Sequence, residues 1–176
     1  MPSKRSLSVM LTAICCIATP ASQASEHGKG AARQGEVVVA GWVENGWLGE
    51  PPVKVKVKLD TGAKMSSIHA AQYREYVRDG MPRVSFTLVN NQGRELKIDQ
   101  PVVRTESIAG TGPDFSERPV IRLKLCIAGV TSEVEFIMAE RSDLQYPVLV
   151  GRSFLAGKIL VDSARTFRAS GRCGLQ

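Results

Sequence analysis

Apolar and polar residues alternate strictly from Val53 to Leu59 (Val-Lys-Val-Lys-Val-Lys-Leu), the pattern of a strand with one face buried and the other in water. Val53, Val55, Val57 and Leu59 share one face. Lys54, Lys56 and Lys58 share the other, most simply the solvated side of a one-sided sheet, with a substrate-binding row as the alternative. A second β-type run covers residues 37–43, and Glu44-Asn45-Gly46 after it predicts a hairpin turn through its Asn-Gly pair. Residues 83–88 and 94–98 flank Asn90-Asn91-Gln92-Gly93, a further hairpin, and residues 120–127 and 130–138 alternate around Ala128-Gly129, a third. A short helical turn is predicted around Ala70-Ala71-Gln72-Tyr73, before Asp79-Gly80. Residues 106–116 are rich in Gly and turn formers and fit no regular element, so they read as a surface excursion or a mobile cover, with the cover favoured. Strands dominate and turns recur at short intervals, which predicts a mainly all-β domain, a small barrel or sandwich with one short helix.

The N-terminus reads differently. Lys4 and Arg5 precede an apolar stretch over residues 7–17, too short for a comfortable membrane span, and Ser22-Gln23-Ala24 offers a small-residue cleavage site. Pro20 and the polar residues after it favour a cleaved signal peptide over residues 1–24 rather than a short membrane anchor. Cys15 and Cys16 lack the small preceding residue a lipobox needs. The expectation is a soluble exported protein, periplasmic or secreted, with a flexible leader over 25–36, one folded domain over 37–168 and a tail over 169–176.

Loss of Lys4 and Arg5 lowers the formal charge from +6 to +4. That modest excess is spread along the chain, so nucleic-acid binding is not indicated. Cys126 and Cys173 would remain, either as one disulfide tying the tail to a strand or as two free thiols.

The chemistry concentrates where the alternating strand ends, in Leu59-Asp60-Thr61-Gly62-Ala63-Lys64-Met65-Ser66. This turn holds one carboxylate at the edge of a packed sheet. Further along, Tyr146-Pro147-Val148-Leu149-Val150-Gly151-Arg152 brings an apolar strand to a Gly-Arg pair. Together with Arg118-Pro119-Val120, these segments resemble a bacterial branch of the retropepsin-like aspartic proteases, often labelled ATP-dependent zinc proteases, and the resemblance spans roughly residues 37–168. It implies a closed acid-protease β-barrel in which the Gly-Arg strand packs beside the catalytic turn.

Peptide hydrolysis needs a proton taken from water and another given to the leaving nitrogen, and two carboxylates sharing one proton do both. The chain has a single Asp-Thr-Gly, so the resemblance implies a homodimer in which a two-fold axis supplies Asp60 twice. Thr61 would reach across that axis, Gly62 would allow close backbone approach, and Ala63 would line the substrate channel. Many viral members place an acidic residue at the position of Lys64, where it pairs with the Arg of the Gly-Arg signature. Lys64 and Arg152 would repel, so Arg152 is expected to hold Glu117, Asp143 or substrate instead.

Genes of this branch often neighbour ATP-grasp ligases and transglutaminase-like proteins, which suggests a peptide or amide-ligated substrate rich in glutamate. Arg104, Arg118 and Arg152 would then bind its carboxylates, with internal ion pairing as their alternative role. Either the 106–116 loop or the 84–98 hairpin would act as the flap. No metal and no cofactor are expected: HExxH is absent, His27 and His69 are the only histidines, and no phosphate-binding loop ends in Lys-Ser/Thr. The rival reading is a domain that keeps the fold and has lost the reaction, serving as a peptide-binding module.

Overall fold

The computed structural model describes residues 37–109, 115–140, 145–170 and 172–173. The expected signal peptide and leader, His27 and Asp143 lie outside them. In chain order the elements are β1 (Val38–Leu48), β2 (Val53–Leu59), β3 (Ser66–His69), β4 (Arg74–Arg78), β5 (Met81–Val89), β6 (Glu95–Pro101), β7 (Arg104–Ala109), β8 (Phe115–Ile127), β9 (Val130–Ala139), β10 (Val148–Val150), α1 (Arg152–Leu155) and β11 (Ile159–Thr166).

Eight strands form one strongly curled sheet in the order β11-β1-β2-β10-β3-β9-β8-β7. The end of β1 also pairs with β8, Gly46 opposite Ile127 and Leu48 opposite Leu125. That second pairing joins β1, β2, β10, β3, β9 and β8 into a closed ring and removes their edges. β4, β5 and β6 form a separate three-stranded sheet, whose Val84, Phe86, Leu88, Leu96 and Ile98 join the same core as Leu48, Val57, Ile68, Ile121, Phe136 and Val150.

β2 alternates as its sequence requires: Val53, Val55, Val57 and Leu59 are buried and Lys54 and Lys56 are exposed. The β8–β9 hairpin turns on Ala128 (φ 55°) and Gly129 (φ 83°), the two left-handed residues that a tight, strand-matched turn demands. The β5–β6 hairpin also lies where expected. Asn90 shapes its turn, with Oδ1 accepting from the backbone N–H of Gln92 and Arg94. Its Nδ2 donates to the Lys54 carbonyl at 2.8 Å.

Three local expectations are corrected. Asn45-Gly46 is no turn, because β1 runs through it. A Cβ on Gly46 would lie 2.7 Å from Val57 Cγ2 and 3.3 Å from Leu125 Cδ1, so this glycine serves the close approach of three strands where the barrel closes. The chain reverses after Leu48 instead, with Gly49 at φ +82°. Second, Ala70–Tyr73 forms a bend rather than a helical turn. The Ala70 N–H bonds to the Ala139 carbonyl, which extends the β3–β9 ladder and leaves that donor no helical partner. The described helix is the single turn α1, after Gly151. Third, residues 106–109 and 115–116 of the stretch expected to be irregular belong to a hairpin that pairs 104–109 with 115–120, while 110–114 lie outside the described residues. Residues 104–108 of β7 are half-buried or exposed, so no apolar alternation announced the strand.

Cys126 of β8 and Cys173 of the tail form a disulfide with Cα atoms 5.7 Å apart, which selects one of the two thiol alternatives.

Candidate active site

Asp60 leaves β2 directly into a tight turn. Its N–H donates to the Val150 carbonyl at 2.9 Å, so the residue is fixed to the neighbouring strand before the chain turns away. One carboxylate oxygen, Oδ1, accepts from the backbone N–H of Gly62 at 2.9 Å and of Ala63 at 3.2 Å. The turn therefore folds its own amides onto its acid, which fixes the side chain without using the second oxygen. Oδ2 lies 3.7 Å from Lys58 Nζ, and the Asp60 side chain retains 27% exposure. Thr61 and Gly62 are exposed and Ala63 is half-buried.

The second motif packs against this turn from below. β10 inserts between β2 and β3, with Val150 beside Leu59 and Val148 beside both Val57 and Ile68. A Cβ on Gly151 would lie 2.5 Å from the Met65 carbonyl oxygen and 2.9 Å from that of Ala63, so no larger residue fits there. The Gly151 N–H donates to the Oγ of fully buried Ser66 at 3.1 Å, and those of Arg152 and Ser153 donate to the Ala63 and Lys64 carbonyls. Arg152 completes the clasp. Its Nη1 donates to the carbonyls of Thr61 (2.9 Å) and Gly62 (2.6 Å).

Of the three arginines expected to meet substrate, Arg152 reaches the tip of the Asp60 turn, and there it holds the Thr61 and Gly62 carbonyls. Arg104 sits on β7 with its guanidinium shared among Glu106, Glu135 and Met65 Sδ. Arg122 takes the other oxygen of Glu135 at 2.8 Å. The hydrogen bonds from Arg122, then Arg104, hold the Glu135 carboxyl below the usual carboxylate range. Internal pairing is thus the role Arg104 plays in this structure. Arg118, half-buried on β8, contacts Ser116 Oγ at 3.4 Å and stands opposite Glu106.

A groove of about 550 Å³ runs beside the turn, lined by Lys64, Met65, Arg104, Glu106, Arg122, Glu135, Ser153, Phe154 and Lys158 among others. β7 forms one of its walls. The β5–β6 hairpin, by contrast, has its turn tied to Lys54, six residues and roughly 20 Å back along β2 from Asp60. Of the two flap candidates, the β7–β8 hairpin touches the Asp60 turn, through Arg104 Nη2 and Met65 Sδ at 3.4 Å.

His69 Nδ1 lies 3.7 Å from Glu140 Oε1. Among the described residues no three His, Cys, Asp or Glu side chains gather as a metal site would require.

Two features escaped sequence reading. Lys58 was grouped with the solvated lysine row, although its position two before Asp60 on an extended strand already placed it on the same face. The other is Ser66: nothing in a lone serine announces that it will accept from an amide 85 residues away.

Comparison with known proteins gives three findings. A family model described as RimB-like, retropepsin-like aspartic endopeptidase RimB, matches residues 39–171. A protein of Shewanella halifaxensis (strain HAW-EB4) named probable alpha-L-glutamate ligase is 34% identical over 123 residues, 68% of this chain and 26% of its own length. One of the same name from Parasynechococcus marenigrum (strain WH8102) is 30% identical over 124 residues, 69% of this chain and 26% of its own. The chain spans about a quarter of the length of these relatives. The crystal structure of Lpg0085 from Legionella pneumophila, a protein of unknown function, superposes with a TM-score of 0.64 at 27% identity, covering 77% of this chain and all of that one.

Proposed function

The chain belongs to the RimB-like family of retropepsin-like aspartic endopeptidases, and from that premise we propose that it is an exported homodimeric endopeptidase whose two Asp60 carboxylates activate water. The observation that carries this reading is the division of labour within Asp60: Oδ1 is occupied by two turn amides, while Oδ2 meets Lys58 Nζ at 3.7 Å on a side chain that is 27% exposed. An acid arranged this way is rigid and still has an oxygen for a second carboxylate and a water.

Two such oxygens about 3 Å apart cannot both stay ionised, so the pair keeps one proton and titrates as a unit. One carboxylate takes a proton from water as it attacks the scissile carbonyl, and the other gives its proton to the departing nitrogen. Neither zinc nor ATP takes part in these steps. Thr61 and Gly62, exposed at the tip of the turn, face the partner copy in this reading, and Ala63 borders the substrate. The relatives named as probable alpha-L-glutamate ligases carry a stretch similar to this chain, which favours glutamate-rich peptides or amides as substrate.

The test combines mass in solution with peptide cleavage by the wild type and by Asp60→Asn, each with and without chelator. A dimer whose cleavage is lost in the variant and indifferent to chelator is the expected result. A monomer that cleaves nothing at any pH would sink the reading and favour the peptide-binding module. Cleavage abolished by chelator would point to a metallopeptidase.

A further inference from the structure

Resting on the endopeptidase reading, we infer that Lys58 is the residue that selects the substrate, by binding the side-chain carboxylate of the amino acid beside the scissile bond. Its position comes from the strand. Lys58, near the end of β2, precedes Asp60 by two, Asp60 N–H still bonds across to Val150, and Lys58 Nζ stands 3.7 Å from the oxygen proposed to act on water. Any peptide carbonyl seated over that oxygen brings its flanking side chains within reach of the ammonium.

Lys58 is also the cation beside Asp60 Oδ2, and it has capacity to spare. At 3.7 Å its contact with Asp60 is longer than a good N–H···O hydrogen bond, so its three donors are open to a ligand, and the side chain is 40% exposed. The neighbouring cations are engaged or displaced. Arg152 is spent on the Thr61 and Gly62 carbonyls, and Arg104 is divided between Glu106 and Glu135. Lys56 stands over the Phe167 ring, and Lys64 opens onto the groove beside the turn.

Charge balance points the same way. In the proposed dimer two Asp60 sharing one proton carry one negative charge, while two Lys58 carry two positive charges. The turn, residues 61–66, adds no acid. The centre is therefore left with surplus positive charge in a cleft that peptide binding would shield from water, and a substrate carboxylate is what neutralises it. A glutamine at that position would fill the same space and leave the charge uncompensated.

The test uses peptides differing only at the residue beside the scissile bond, Glu, Gln or Lys, with both cleavage and affinity (by fluorescence anisotropy) measured for the full-length wild type, Lys58→Met and Lys58→Glu. The wild type should prefer Glu over Gln by about 10- to 100-fold. Lys58→Met should reduce that ratio, read in affinity, to near one, and Lys58→Glu should invert the order in favour of Lys. Equal wild-type affinities for Glu and Gln peptides, or a preference unchanged in Lys58→Met, overturn the assignment. Preference in binding without cleavage of any peptide would overturn the endopeptidase reading alone and leave Lys58 in its role.

Discussion

Asp60 and Glu44 each place one carboxylate oxygen under backbone N–H groups, yet the two regions around them do different things. Glu44 is 2% exposed, and its Oε1 accepts from Gly41 at 2.7 Å, Arg168 at 2.8 Å and Ala169 at 2.9 Å. Two of those donors lie more than a hundred residues away in sequence, so this acid fastens the start of the barrel to the C-terminal segment. Asp60 draws its donors from the next three residues of its own turn and leaves Oδ2 outside those amide bonds, on a side chain that is 27% exposed. Amide donation fixes a carboxylate in both places. What separates an acid that could do chemistry from one that staples the chain is the oxygen left over.

The largest expected effect breaks the chemistry and spares the fold. Asp60→Asn keeps an oxygen for the Gly62 and Ala63 amides, so thermal unfolding should move little. Peptide cleavage should fall by at least about 10³-fold, roughly 4 kcal/mol in the barrier. A variant that melts well below the wild type would show that the turn depends on the charge of Asp60, and the contrast with Glu44 would narrow. Next in size is the second fastening of the same tail. Cys126 and Cys173 are 47 residues apart, and opening a loop of that length by Cys173→Ser should lower unfolding free energy by about 4 kcal/mol in the chain-entropy picture. Denaturant titration reads it directly, and equal midpoints for oxidised and reduced protein would mean the tail contributes nothing. Glu44→Ala should cost about 3 kcal/mol, because three amides lose their acceptor in a buried site. Cleavage per folded molecule should survive it. Combining it with Cys173→Ser should cost less than the two separately, since either change already frees the segment that the other secures.

Sequence reading reached the barrel and the Asp60 turn because both are written locally: β2 in strict alternation, the acid where the alternation stops. It also reached the pairing of the turn with Val148–Gly151, through the resemblance to a family. It misplaced features whose cause is a distant neighbour. Gly46 looks like half of a hairpin signal beside Asn45, and only the arrival of β8 explains why a side chain cannot fit there. Glu44 looked like a turn residue for the same reason, while its partners at 168 and 169 lie where no local pattern points. β7 was missed because residues 104–108 are half-buried or exposed, and such a strand is defined by its partner rather than by its own composition. The arginines divide along the same line. Their charge was legible, but whether each meets an acid, a carbonyl or solvent depends on strands that come together only in the fold.

Arg152 gives the smallest effect and the finest test of how the Asp60 turn is held. Its Nη1 serves two carbonyls, Thr61 and Gly62, from a flat, rigid group that a lysine ammonium on a flexible stem does not reproduce. Arg152→Lys keeps the charge and loses the shared geometry, about 1 kcal/mol for a weakened pair of hydrogen bonds. If the side chain positions the turn, the loss belongs to the rate: kcat should drop roughly 5- to 10-fold while KM for acidic and neutral peptides stays near the wild-type value. An arginine that bound substrate carboxylates would behave otherwise, raising KM for Glu peptides alone and leaving kcat intact. That second outcome would move Arg152 from the turn to the substrate, and the Asp60 carboxylate would then owe its placement to the amides of Gly62 and Ala63 and to Lys58.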